Sequence, residues 1–513
     1  MMMKDTPGGS KMPLNKPYPP TAIDYSDWND LADNYAGKAV TLIVDASGKG
    51  DYTTIQEAID ALPTTNAGEI LVKQGLETVS KAIKIKDIED LVIRGVGKAT
   101  RFKTANKVQE LVTSDAASGQ KEVQVSAGSS FLVGQHVCVR DDTHYEVNVI
   151  AAINGNVLTM EADLANAYEV ADNGRVYTCH SAFYITGTSK NIRITNLLVD
   201  GNRLNQEFGR TGYYPKEHQG DCIRVSSTCS FISIDHCWIK SAAAHGICSA
   251  GDDVRYSFND CWDNEYDGIN IEPECDRILV KGNQCHDQAS WNGIQVGYMT
   301  NPTGSVLVIG NHCYNNKQGI AAQGGANVAI VGNILENNRV DGISLYSMDR
   351  FNVTGNLITG ADDVSDMTNA GIHIEAECSI GTICGNTIEL TAGYGIYGED
   401  GAYITINGNS IRKIKKHGIY AATLFRDSTI QGNSLVDIDS DDSATYSGVL
   451  MAGDRNGVVG NRLDNCDKYA IEIIGTADRT LCLGNHCYQY TGSPVGAIID
   501  GGTNTELAHN ITA

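Results

Sequence analysis

The sequence predicts an all-β fold, a right-handed single-stranded parallel β-helix, and three observations lead there. Short apolar strands open on a Gly-Ile pair at Gly268-Ile269, Gly293-Ile294, Gly319-Ile320, Gly342-Ile343, Gly371-Ile372, Gly395-Ile396 and Gly418-Ile419. Gly-Asn steps recur from Gly282-Asn283 to Gly484-Asn485, 22 to 30 residues apart. A basic period of roughly 23 residues with occasional additions marks a solenoid whose additions are rim loops. Within each repeat apolar and polar residues alternate, with Ile269, Ile271, Ile343 and Leu345 inward and Asn270, Gln295, Ser344 and His373 outward. That period of two belongs to strands, and no repeat carries a helical stripe. The right-handed rule for parallel crossovers sets the hand.

Taken in order, residues 1–40 form a lead segment, Pro- and Gly-rich at first and ending in Asp24-Tyr25-Ser26-Asp27-Trp28-Asn29-Asp30-Leu31. Residues 41–106 hold strands at Thr41–Asp45, Glu69–Lys73 and Leu91–Gly97 around a helix over Gly50–Pro63. Thr53 or Thr54 caps that helix, Pro63 stops it, and Ile55, Ala58, Ile59 and Leu62 make one apolar stripe. Such a helix covers the first coil, whose strand edges would otherwise be open. Residues 107–178 break the period and read as a small antiparallel β insertion with an Asn154-Gly155 hairpin. The solenoid runs over 179–513. No terminal helix follows the last turn, so a partner chain, a homotrimer for instance, is expected to cap that end.

The corners have a chemical reading. Gly and Asn both tolerate positive φ, and Asn side chains at equivalent corners can hydrogen-bond along the axis. Cys237, Cys261, Cys285 and Cys313 each follow a corner pair and are expected to stack in four consecutive turns as small core hydrophobes. No Cys-x-x-Cys spacing exists, so no metal ligand is assigned.

Composition narrows the function. Lys and Arg number 39 against 62 Asp and Glu, a net charge of −23, which argues against a nucleic-acid partner. Fifteen cysteines without small-domain spacing suit folding with reduced thiols. No apolar leader and no membrane-spanning stretch is visible, which fits cytoplasmic folding followed by release to a virion surface or the exterior.

The helix of residues 50–63, the strand after it and the Arg94-Gly95-Val96-Gly97 corner resemble the opening of the pectate-lyase-like β-helix superfamily. That group includes phage tailspikes, polysaccharide lyases, uronate epimerases and glycoside hydrolases. The resemblance covers residues 41–105 and 179–513 and implies the fold and a polysaccharide partner. The Asp24–Leu31 stretch is similar to the attachment-proximal part of tail-fibre and tailspike-like proteins. Neither an epimerase Tyr-Gly-x-Asp-Pro-His motif nor a pectate-lyase Asp cluster for calcium is present, so neither activity transfers.

Candidate chemistry lies in the outward row of the Gly-Ile strands: Arg224, Cys248, Asn270 with Glu272, Gln295, Gln323, Ser344 with Tyr346, His373 with Glu375, Tyr397 with Glu399, and Tyr420. Carboxylates, amides and aromatics over about 40 Å suit a sugar chain. Glu375 and Glu399 occupy equivalent positions on adjacent turns, the arrangement a glycosidase needs, with His373 and Glu272 as further acid/base groups. Arg224, with Lys216 and His218 from the long loop after Arg203, offers a basic contact for a uronate. Asp221, His245 and Asp267 form a second cluster, each equally a corner cap. Rim loops at 298–305, 362–369 and 440–446 are expected to wall the groove. Three readings stay open: a tailspike-like depolymerase, a non-catalytic glycan-binding adhesin or fibre, and a stand-alone lyase or epimerase. No cofactor is required, and Ca²⁺ would serve only the last.

Overall fold

Outside residues 107–178, strand pairing is parallel from Thr41 to the C-terminal coil, in three faces that repeat once per turn. The computed structural model describes residues 40–206, 220–298, 303–361, 368–441, 443–488 and 497–512. The lead segment therefore lies outside the described residues, as do Lys216, His218 and the middle of each rim loop. The first face carries the Gly-Ile strands, from Ile83–Lys86 and Phe183–Thr186 through Ile269–Ile271 to Ile498–Asp500. The second begins at Thr41–Val44 and ends at Glu506–Ala508. The third contains 15 strands, Gly75–Val79 to Ile511–Thr512. The first two faces join into one sheet of 29 strands, because Tyr394–Asn407 runs through the corner between them without a break. The chain is thus a right-handed parallel β-helix.

The core is a set of columns. Ile269, Ile294, Ile320, Ile343, Ile372, Ile396 and Ile419 are each fully buried and face one another from turn to turn. Burial of each such side chain stabilises by about 2–3 kcal/mol. The glycine before each isoleucine has a steric cause. A Cβ on Gly342 would lie 2.6 Å from Gly371 O, and one on Gly395 would lie 2.4 Å from Gly418 O.

At the opposite corner Gly and Asn divide the labour. Gly310, Gly332 and Gly355 have φ of +63°, +60° and +65°, which a side chain would disfavour. The asparagines that follow do not take positive φ, contrary to expectation; they are buried and form a ladder. Asn283 Nδ2 donates to Asn311 Oδ1 at 2.9 Å, Asn311 to Asn333 at 3.0 Å, Asn333 to Asn356 and Asn356 to Asn386 at 2.9 Å. The series extends from Asn259 to Asn510. Each amide also donates to a carbonyl of the preceding turn, as Asn356 Nδ2 does to Ile330 O at 3.0 Å. Every polar atom of these enclosed amides is thereby paired.

The four cysteines expected to stack are buried free thiols of the core, with one correction. Cys261, Cys285 and Cys313 stack on the third face, but Cys261 pairs with Ile239. Cys237 sits instead at the corner, where its N–H donates to Asn259 Oδ1 at 3.0 Å; it holds the place that asparagine takes on the next turn.

The N-terminal helix is shorter than predicted, Ile55–Asp60, with Thr54 as N-cap and Glu57 completing a capping box. It buries Ile55, Ala58 and Ile59. Between residues 107 and 178 an antiparallel sheet of six strands leaves the solenoid and encloses its own core, including Val123, Phe131, Val137, Ile150 and Leu158. Its hairpin turns at Gly155, φ +56°, joining Tyr145–Asn154 to Val157–Met160. Among the described residues no helix is long and apolar enough to cross a membrane.

Candidate functional site on the first face

The register of the first face defines the outward row. Tyr184, Arg224, Cys248, Asn270, Gln295, Ala321, Ser344, His373, Tyr397, Tyr420, Leu450 and Glu472 face one another in that order. Gln323 is not in this row. Its turn contributes Ala321, and Gln323 pairs with Tyr346 two residues further along. A second row runs beside the first, made of the residue that precedes each Gly-Ile pair. Its members cap the corner: His245 N–H donates to Asp221 Oδ1 at 3.0 Å, Asn292 N–H to Asp267 Oδ1 at 2.9 Å and Ala370 N–H to Asp341 Oδ1 at 2.8 Å. The other oxygen of Asp221 faces Arg224, that of Asp267 faces His245, and that of Asp341 accepts from Gln318 and lies near His373.

In the N-terminal half, Arg224 is the centre of the network. Its Nη1 lies 3.5 Å from Asp221 Oδ2 and 3.3 Å from Glu272 Oε1, and donates to Cys248 Sγ at 2.9 Å. Asn270 Nδ2 also donates to Cys248, at 3.2 Å. His245 Nδ1 lies 3.1 Å from Asp267 Oδ2. Burial raises the Asp221 carboxyl against the pull of Arg224 and His245. Burial works to lower His245, but Asp267, Asp221 and Glu272 overcome it and its pKa ends raised. Arg224 is enclosed and already paired with two carboxylates. Gln295 is enclosed too: its Nε2 donates to Gly297 O at 2.8 Å and its Oε1 accepts from Asn292 at 2.9 Å. This half is a closed polar network.

The C-terminal half is more open. His373 is buried between Asp341, whose Oδ2 is 3.8 Å from Nδ1, and Glu399, whose Oε2 is 3.4 Å from Nε2. Ser344 Oγ donates to Glu375 through a short hydrogen bond. Asp400 N–H donates to Glu375 O at 2.8 Å, which sets Glu375 and Glu399 side by side on adjacent turns. Glu399 is 52% exposed, while Glu375 is half-buried. Burial pushes the Glu375 carboxyl above its ordinary range, and the Asp341 and Glu399 charges add to that. His373 is raised as well, the carboxylates Asp341, Glu375 and Glu399 outweighing its burial. Tyr397 stacks on His373 with centroids 4.8 Å apart, and Tyr420 stacks on Tyr397 at 5.1 Å. Tyr394, His417 and Tyr446 widen this aromatic field.

The structure thus gathers Glu375, Glu399, His373, Tyr397 and Tyr420 in one place, and Arg224, Asn270 and Glu272 in another. Gln295, Gln323 and Tyr346 join neither network. Sequence reasoning missed Asp341 as a site residue. It stands two residues before the strand isoleucine, as Asp221 and Asp267 do, and that periodicity is the signal that could have found it. Two sets of metal-type donors also converge, Asp221–His245–Cys248 and Asp341–His373–Glu375, with ligand atoms within 4.8 Å of one another in each set.

The family of the right handed beta helix region matches residues 221–374 and 361–435. A probable pectinesterase 67 of Arabidopsis thaliana is 30% identical over 145 residues, 28% of this chain and 37% of that protein; the match spans little more than a third of its length. Among solved structures, the N-terminal fragment of bacteriophage Phi29 gene product 12 superposes with a TM-score of 0.58 at 12% identity, covering 84% of this chain and 67% of that one. The pre-mature form of the same gene product gives 0.53 at 13% identity, over 86% and 53%. At that identity the likeness is one of fold.

Proposed function

We propose that the protein binds a surface polysaccharide along its first face and cleaves it, as a virus tailspike-like depolymerase. The observation that carries this reading is the pairing of Glu375, half-buried and raised in pKa, with the exposed Glu399 on the next turn, beside the Tyr397–Tyr420 stack. Two carboxyls whose surroundings differ in this way are suited to opposite roles. Glu375 holds a proton and donates it to the leaving glycosidic oxygen. Glu399 attacks the anomeric carbon or activates water, according to the separation the two carboxyls adopt around a sugar. His373 lies against both and steadies the charge that develops. Tyr397 and Tyr420 supply apolar ring surface with hydroxyl tips for the sugar rings. The name of the pectinesterase relative supports a polysaccharide partner; the reading places the chain at a virion surface as a homotrimer.

The lyase or epimerase reading finds less support, because Arg224 is already paired with Asp221 and Glu272 and is not free for a uronate carboxylate. The adhesin reading differs only in turnover. Incubation with a panel of bacterial surface glycans, followed by reducing-end assay and mass spectrometry, separates them. New reducing ends, lost in Glu375→Gln and Glu399→Gln, support the depolymerase. Retention of glycan without any product sinks it in favour of the adhesin.

A further inference from the structure

The Asp341–His373–Glu375 set brings three metal-type donors within 4.8 Å of one another. Each donor is held by a further partner. Asp341 accepts from Ala370 N–H and from Gln318 Nε2, both at 2.8 Å. Glu375 accepts from Ser344, and His373 is clamped by the Tyr397 ring. Metal-binding histidines commonly turn their second nitrogen to a carboxylate, and Glu399 stands 3.4 Å from His373 Nε2. Nδ1, on the Asp341 side of a ring that is only 5% exposed, is then the nitrogen turned to the set. The largest charges acting on His373 and Glu375 are carboxylates and each other. In the parallel set Asp221–His245–Cys248, by contrast, Arg224 lies 2.9 Å from the sulfur and already supplies the positive charge.

We propose that Asp341, His373 and Glu375 bind a first-row divalent transition cation, with Zn²⁺ as the representative ion. One imidazole and two carboxylates suit such an ion and leave a coordination position open. Ca²⁺, which takes six to eight oxygens, fits the set poorly. Such an ion takes its carboxylate and imidazole ligands in their deprotonated forms. A ligated Glu375 has no proton to give, so the ion and glycan cleavage exclude each other; this inhibitory consequence rests on the depolymerase reading, whereas binding does not.

The test uses the full chain stripped with EDTA and titrated with Zn²⁺ by calorimetry, without glycan, in two buffers of different ionisation enthalpy. Co²⁺ serves as a spectroscopic probe. The expected result is one Zn²⁺ per chain with proton release, weakened at least about tenfold in His373→Ala and in Glu375→Gln, and no competition by Ca²⁺. Melting curves in EDTA establish that both variants fold. Absence of stoichiometric binding, binding unchanged in either folded variant, or equal displacement by Ca²⁺ overturns the proposal. Loss of reducing-end release on adding Zn²⁺ supports the inhibitory consequence. Cleavage without Zn²⁺ binding leaves the depolymerase reading standing alone, and Zn²⁺ binding without cleavage leaves the metal site standing alone.

Discussion

Glu399 Oε2 on one turn approaches His373 Nε2 on the preceding turn to 3.4 Å, while the opposite nitrogen of that imidazole faces Asp341 Oδ2 at 3.8 Å. The ring is thus set between a buried carboxylate and an exposed one, with Glu375 beside it.

From this follows the expected pH dependence of cleavage. Glu375 has a raised pKa, so the proton donor stays loaded above the ordinary carboxylate range, and the basic limb of the rate profile should lie higher than a free glutamate would set. Glu375→Gln should remove that limb and lower turnover by about 10²–10⁴-fold with glycan binding retained, measured by reducing-end release and by retention on immobilised glycan.

A second expectation concerns stability. Burial lowers His417 from 6.5 to about 4, and its Nδ1 accepts from Ser447 N–H at 2.8 Å. The unfolded chain takes up a proton at a higher pH than the folded one. The stabilisation is therefore complete above about 6.5 and lost as pH falls toward about 4, roughly 3 kcal/mol in all. His417→Asn keeps an acceptor without a titrating ring, so the wild-type stability measured by denaturant unfolding should fall relative to the variant across that window.

The asparagine ladder makes a third. Asn356→Ala deletes four side-chain hydrogen bonds, two given and two received. It strands Asn333 N–H, Asn333 Nδ2 and Ile330 O in the core. A loss of roughly 3–5 kcal/mol is expected, read by denaturant unfolding and by faster amide exchange in the adjoining turns.

The two glycine classes separate cleanly. Gly332→Ala meets nothing within 4 Å but must hold φ near +60°, at a cost of about 1–2 kcal/mol. Gly342→Ala would press its methyl to 2.6 Å from Gly371 O and 2.4 Å from Ile358 Cγ2, and should cost more, roughly 2–4 kcal/mol. Equal melting points for the two variants would contradict this account.

Much of the architecture was legible because it is periodic. The Gly-Ile anchor sets the face, and counting one residue past the isoleucine gives every member of the outward row from Arg224 to Tyr420. Gln323 came from counting three past Ile320, which keeps the same side of the strand but moves along it. The divided role of the Gly-Asn corner was only half readable: positive φ belongs to the glycine, and the asparagine is there for its amide. Burial was not legible. Alternation marks Asn270 and Gln295 as outward, yet both are enclosed, because neighbouring turns and corner residues close over that half of the face. Asp341 escaped because a residue that ends a corner looks like the start of a strand, and its two oxygens serve fold and site at once.

The ladder also has a direction. In every rung the backbone N–H and amide of one asparagine reach toward the carbonyl oxygen of the asparagine that follows in sequence, as Asn311 does toward Asn333. A stack that ends at any turn therefore displays two unpaired donors toward the turn that follows it in sequence, and that turn offers the matching Oδ1. Assembly can then proceed in the order of synthesis, each coil templating its successor, and rim loops of any length can be spliced in without losing count.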